Sequence, residues 1–265
     1  MTCTIPRRSE TRSGTAYVAE GTGEPLVLIH GVGLRLEAWA AQIEALAATH
    51  RVIALDMPGH GGSAPLDADA RLPDFVAWLE RTFDDLRLER ANLAGHSMGA
   101  LITGGMAATH PGRLDRVALL CGVHRRTPEA AAAVQARAAT LRDGERDSSG
   151  PLSRWFGNAA SPARTLVRDW LESVDPDGYA TAYTAFATGD ATYADAWPAI
   201  AQPALFLTGA LDGNSTPEMA RTMAAAALRG TAVVIEGHGH MVPMTAPDAV
   251  NAALRAWLAG EARPQ

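Results

Sequence analysis

The pentapeptide Gly95–Gly99, GHSMG, sets a hydroxyl between two glycines where an apolar run, ANLA, gives way to a helical pattern, LITGGMAATH. A tight turn there forces Ser97 into a strained backbone conformation, which neighbours without side chains accommodate. With a strand before it and a helix after it, the turn matches a nucleophile elbow. The elbow lifts the Ser97 hydroxyl above the sheet edge, at a helix start that favours developing negative charge. A serine hydroxyl is a weak nucleophile at neutral pH, so a base must take its proton and an acid must orient that base. Of eight histidines, His240 in EGHGHMVPMTAPDAV follows the last expected strand and precedes the final helix. His238 is its rival, but His240 runs straight into the helix-starting TAPD. His30 and His96 are expected beside the site, while His50, His60, His110 and His124 take surface or structural roles.

The orienting acid is expected at Asp212, in LFLTGALDGNSTPEM, just past a buried strand and before a helix capped by Ser215 or Thr216 with Pro217 in its first turn. A lone Asp-Gly pair commonly marks a turn. The chain order Ser97, Asp212, His240 favours the triad instead. Asp56 is a backup acid that precedes the serine and is better suited to bracing loops. Two backbone donors are needed for the oxyanion: the amide of Met98, and one from HGVGLR, where Gly31 and Gly33 let the backbone approach a substrate and Val32 is the expected donor. A dinucleotide site is excluded, because Gly-x-Gly-x-x-Gly spacing is not met.

The elements that must position these groups alternate. Apolar runs at 26–30, 51–56, 91–94, 116–120, 204–208 and 232–235 suit strands of a buried parallel sheet. Helical spacing recurs between them, as in Phe75, Trp78, Leu79, Phe83 and Leu86, so the class is α/β with helices on both faces. Between about His124 and Ala199 the pattern is helical only, starting at TPEAAAAVQARAATL with Thr127 as N-cap and Pro128 following. This divides the chain into a core of residues 1–123 and 200–265 and a helical cap of residues 124–199, lying as a lid over one sheet edge. Arg125 and Arg126 follow a strand at the cleft mouth and Arg35 adjoins the oxyanion loop, so these three are candidates to clamp a substrate carboxylate. Arg137, Arg154, Arg164 and Arg168 are expected in solvent.

The chain's 265 residues, 47% of them hydrophobic, suffice for one large core. Its 23 basic and 29 acidic residues give a net charge of -6 with no basic block, which argues against a nucleic-acid partner. Cys3 and Cys121 do not form a disulfide framework, and no stretch reads as a signal peptide or a membrane span. The expectation is a cytoplasmic protein, monomeric or homodimeric, that acts away from membranes.

The motifs HGVG (30–33), DMPGHGGS (56–63), GHSMG (95–99), GALD (209–212) and GHGHM (237–241), in that order, resemble the α/β-hydrolase-fold enzymes from about residue 15 onward. The resemblance implies an α/β-hydrolase fold: a mostly parallel central sheet flanked by helices, an inserted helical cap, and a Ser-His-Asp triad working without metal or organic cofactor. Ser97 argues against the branches with an aspartate nucleophile, and Met241 against the carbon-carbon hydrolases, which usually carry an aromatic after the histidine. The expected activity is hydrolysis of a small-molecule ester or lactone by a serine esterase. Alternatives are an amide, formamide or enamide hydrolase of N-heterocycle breakdown, a carbon-carbon hydrolase, or a non-catalytic ligand-binding member of the fold. Substrate contacts are expected from His30, Gly31, Arg35, His96, Arg125, Arg126 and Met241.

Overall fold

Alternate residues of the apolar runs face opposite ways, and that period of two builds the molecule. The computed structural model describes residues 7–145, 147–157 and 160–261, so Cys3 lies outside the described residues. Eight strands form one sheet: β1 (Ser9–Glu10), β2 (Ala16–Glu20), β3 (Pro25–Ile29), β4 (Arg51–Leu55), β5 (Ala91–His96), β6 (Leu114–Leu120), β7 (Ala204–Gly209) and β8 (Gly230–Ile235). Their spatial order is β1-β2-β4-β3-β5-β6-β7-β8, with β1 and β2 antiparallel to their neighbours and every other pair parallel. The six runs read from the sequence are β3 to β8, each within two residues at either end. The two antiparallel strands at this end of the sheet were not foreseen. In β2, AYVAE, only Ala16 and Val18 are buried, so no continuous apolar run marks it.

Val27, Ile29, Ile53, Leu55, Leu93 and Phe206 point to one face. There they meet α2 (Leu72–Asp85) and α3 (Met98–Thr109). Leu26, Leu28, Val52, Ala54, Leu205 and Leu207 point to the other face. They pack against α1 (Ala40–Leu46) and the C-terminal helix (Pro247–Leu258), which contributes Leu254 and Trp257. Burial of this two-sided sheet is the main stabilising contribution.

Between β6 and β7 come α4 (Pro128–Arg142), α5 (Ser149–Phe156), α6 (Pro162–Ser173) and α7 (Pro176–Gly189), with no strand among the described residues. Thr127 caps α4 by accepting from the Ala130 amide at 3.3 Å, and Asp175 caps α7 by accepting from the Gly178 amide at 2.7 Å. The helix α7 is not a separate layer. Tyr179, Ala182, Ala185 and Phe186 belong to the same apolar cluster as Val27 and Phe206 of the sheet, and Ala138 and Leu141 of α4 join it. Leu152 and Trp155 of α5 and Val167 and Trp170 of α6 form a second cluster with Leu34, Ala38 and Met241. The chain then completes the sheet with α8 (Pro217–Ala226) between β7 and β8, and α9 (Val242–Thr245) precedes the C-terminal helix, α10. No helix among the described residues is long and apolar enough to cross a membrane.

Because inserted helices and sheet share side-chain packing, they should unfold together. Urea titrations followed by far-UV circular dichroism and by tryptophan fluorescence, which samples both regions, are expected to give coincident midpoints. An earlier fluorescence transition would show that the insertion melts on its own.

Candidate active site

Ser97 joins β5 to α3 with φ 56° and ψ −112°, a conformation rare for a residue with a side chain and costing on the order of 1–3 kcal/mol. The flanking glycines are required by contact as well. A Cβ on Gly95 would fall 2.0 Å from the Gly99 carbonyl oxygen, and one on Gly99 would fall 2.3 Å from that of Ile29. Two backbones cross here with no room for a methyl group.

The Ser97 hydroxyl lies 3.1 Å from His240 Nε2, and His240 Nδ1 lies 2.8 Å from Asp212 Oδ2. Asp212 follows β7 and His240 follows β8, so neighbouring parallel strands deliver both groups to the sheet edge where β5 ends. The ionised carboxylate accepts from Nδ1–H, which leaves Nε2 as acceptor for the serine proton. His238 turns away to hydrogen-bond Thr245 at 3.0 Å. Burial alone would raise the Asp212 pKa. The charge and hydrogen bond of His240, with the amides of Ser215 and Asn214 donating to Oδ1 at 3.0 and 2.8 Å, outweigh it and hold the carboxyl below its ordinary range.

The main chain of His240 is fixed too. Its carbonyl oxygen accepts from His96 Nε2–H at 2.8 Å and from the Cys121 thiol at 3.2 Å. Burial, reinforced by the Asp212 charge, pushes the Cys121 thiol up, so it stays a protonated donor. Burial lowers His96 to about 3, keeping that ring neutral. The indole of Trp155 stacks on the His240 ring, centroids 5.8 Å apart and planes 26° apart.

The loop after β3 is clamped by side chains that accept from its amides. His60 Nε2 accepts from Gly33 N–H at 2.9 Å, and Asp56 Oδ1 from Leu36 N–H at 2.8 Å. His30 Nε2 accepts from Met57 N–H at 3.0 Å, tying the loop to the strand-end beside it. Arg8 pairs with Asp56 at 2.7 Å and with Glu37 at 2.7 Å. Asp56 therefore braces loops rather than orienting a base. Val32, at the centre of the loop, borders the same cavity as Ser97 and His240.

That cavity has a volume of about 210 Å³. Arg126, Arg137 and Arg154 reach it from the inserted segment, with Trp155, Tyr183 and Phe186 supplying apolar wall. Arg126 stacks on Phe186 with its guanidinium carbon 4.4 Å from the ring centroid and pairs with Asp190 at 3.1 Å. Among the described residues its Nη2 is buried without a partner, as is Nε of Arg137, whose other nitrogens donate to Glu145 at 2.8 Å and to the Asp147 carbonyl at 2.7 Å. Arg154 has no ion-pair partner among the described residues.

Of the expected substrate contacts, Arg126 alone lines this cavity. Arg125 turns outward to pair with Asp195 and is half exposed. Arg35 stands at the start of a 3-10 turn, outside the cavity. Met241 is buried in the apolar cluster under α5 and α6, because a thioether beside Leu34 and Trp155 is better packed than presented. His30, Gly31 and His96 do not line the cavity; both nitrogens of His30 and Nε2 of His96 are bonded to backbone groups. Arg137 and Arg154 belong to the cavity and were expected in solvent. Their positions on α4 and α5 became meaningful only once those helices were placed over Ser97. Trp155 carried no signal beyond an apolar residue in LSRWFG.

The fold and this constellation define a class. The sequence profile of the alpha/beta hydrolase family matches residues 26–253, and the chain belongs to that family. It is 53% identical over 244 residues to the (E)-2-((N-methylformamido)methylene)succinate hydrolase of Acinetobacter baylyi, covering 91% of this chain and 93% of that one. Among solved structures, it is similar to a thermophilic esterase from Thermogutta terrifontis, with a TM-score of 0.87 and 28% identity over 97% of this chain and all of that one. The enol-lactonase from Burkholderia xenovorans aligns with a TM-score of 0.85 and 27% identity over 96% of this chain and 100% of the other.

Burial also sets a pH dependence. His30 and His96 are both lowered to about 3, against about 6.5 in an unfolded chain, so the unfolded state takes up protons that the folded state refuses. Their contribution to stability is complete above about pH 6.5 and declines as pH falls toward 3. Urea midpoints measured from pH 7.5 to 5 should drop. His96→Gln, which keeps a donor but cannot titrate, should flatten that slope, and an unchanged slope would refute the assignment.

Proposed function

We propose that the protein hydrolyses the carbonyl–nitrogen bond of a small formamide or related enamide carrying two carboxylates, through an acyl-enzyme on Ser97. The observation that carries this reading is the convergence of three guanidinium groups, Arg126, Arg137 and Arg154, on the cavity that also holds Ser97 and His240. Buried guanidinium edges without protein partners match planar carboxylate oxygens, and a neutral ester would leave them unpaired. The relative from Acinetobacter baylyi bears a name that combines a formamide with a succinate, and similarity over nine-tenths of both chains supports the same bond and charge pattern here. The esterase and enol-lactonase neighbours, at lower identity, support the ester or lactone reading, which uses the same three groups.

In this mechanism His240 Nε2 takes the Ser97 proton as Oγ bonds to the substrate carbonyl carbon. The carbonyl oxygen becomes an oxyanion held by two backbone amides. Met98 offers one, because a first-turn N–H of a helix has no acceptor within the helix, and Val32 offers the other. Asp212 keeps the ring oriented and supports its positive charge. The imidazolium returns the proton to the leaving nitrogen as the carbon–nitrogen bond breaks. A water then loses a proton to His240 and attacks the acyl group, releasing the carboxylic acid and Ser97. Helices α4 and α5 act as a cap that supplies the arginines, and no metal or organic cofactor takes part in any of these steps.

Two measurements test this. Formate release from (E)-2-((N-methylformamido)methylene)succinate should exceed, in kcat/KM, hydrolysis of its dimethyl ester, of p-nitrophenyl acetate and of enol-lactones, and should fall by at least about 10⁴-fold in Ser97→Ala. Hydrolysis of lactones or esters alone would return the assignment to an esterase, and no hydrolysis of any of these substrates would leave a binding protein. Arg154→Gln should raise KM for the dicarboxylate about ten- to a hundredfold while leaving p-nitrophenyl acetate hydrolysis nearly unchanged. Equal effects on both substrates would remove the arginine argument.

A further inference from the structure

We propose that Trp155, carried by the inserted helix α5, is a positioning residue for His240 whose indole face stabilises the imidazolium formed when Ser97 gives up its proton. The inference rests on the reading of Ser97 and His240 as a working pair. Centroids 5.8 Å apart and planes 26° apart place the His240 ring over the indole, inside the roughly 6 Å within which a cation gains from an aromatic face. The indole is held there. Trp155 is 9% exposed, and it packs with Leu152, Trp170 and Met241 in the cluster beneath α5 and α6. The end of α5 also abuts the histidine loop, where a Cβ on Gly239 would lie 3.5 Å from the Trp155 carbonyl oxygen.

The other surroundings of His240 explain why such support is needed. Asp212 bonds Nδ1 and is the one anion among the described residues facing the ring; Ser97 faces Nε2. The His96 ring, 5.1 Å away, stays neutral, and so does the Cys121 thiol. His238 on the same loop is turned to Thr245. Arg126 and Arg137, paired with Asp190 and Glu145, line the cavity that His240 borders, as does Arg154. Trp155 covers the remaining face of the ring with negative π density.

The sign of one shift separates this role from mere packing. Losing the indole face disfavours an imidazolium at this position, whereas letting water reach a buried ring favours it. Inactivation by a fluorophosphonate probe, followed from pH 4.5 to 9, reads the neutral base and does not depend on which substrate the enzyme uses. In Trp155→Leu, which keeps an apolar cover, the acid limb should move down by about half to one pH unit and the plateau rate should fall about three- to tenfold. Trp155→Phe should stay near the wild type. An unmoved or upward-moving limb in Trp155→Leu overturns the inference while leaving the proposed function intact. A wild-type protein whose Ser97 is not labelled overturns both. Should the leucine variant not fold, the wild type still gives an answer. Its tryptophan emission should be quenched over the same pH range as the rate limb, and His240→Gln should lack that step; emission that is identical in the two proteins overturns the proposal.

Discussion

The carbonyl oxygen of His240 is the point on which the site depends. Two donors from separate strands, the His96 imidazole at the end of β5 and the Cys121 thiol just past β6, converge on this one atom. The ring nitrogens are thereby free for Ser97 and Asp212, since the residue is anchored through its backbone. Without that anchor, a histidine in a glycine-rich loop would be held through its ring alone. Strand register places the anchor: β5, β6 and β7 are consecutive neighbours in the sheet, so the residues leaving their carboxyl ends meet at one rim.

A second layer of buried histidines serves backbone geometry. His30 and His60 accept from main-chain amides with one nitrogen each, and Asp56 accepts from two more while paired with Arg8. These contacts hold the loop containing Val32 in a fixed curve beside the strained Ser97 turn. Polar groups buried this deeply stabilise only when each is satisfied, so the loop and its supports stand or fall together.

Much of this was legible in the sequence because it is local. The parallel strands announce themselves as apolar runs, the Ser97 turn by its glycines, and Thr127 and Thr216 as caps by the prolines that follow them. Asp212 and His240 were readable from their places after successive strands. What was not legible depends on contacts between distant segments. Strand β2, between β1 and β4, buries only Ala16 and Val18, so its pattern is weak. Met241 sits next to His240 in the chain, yet it packs under α5 because neighbours in sequence diverge in direction. Arg125 and Arg126 are adjacent and look equivalent, but one turns to solvent and the other lies against Phe186. Arg137, Arg154 and Trp155 acquired significance only from where α4 and α5 settle, which no periodicity encodes.

The sharing of one apolar cluster by α7 and the sheet bears on how such an enzyme can diversify. Tyr179, Ala182 and Phe186 complete the packing around the central strands, so exchanging the whole insertion for another would expose the interior. Variation is channelled instead into α4 and α5, where side chains reaching the cavity can be replaced singly. New specificities on this scaffold should therefore arise by point replacement on α4 and α5 while α7 keeps its place in the core.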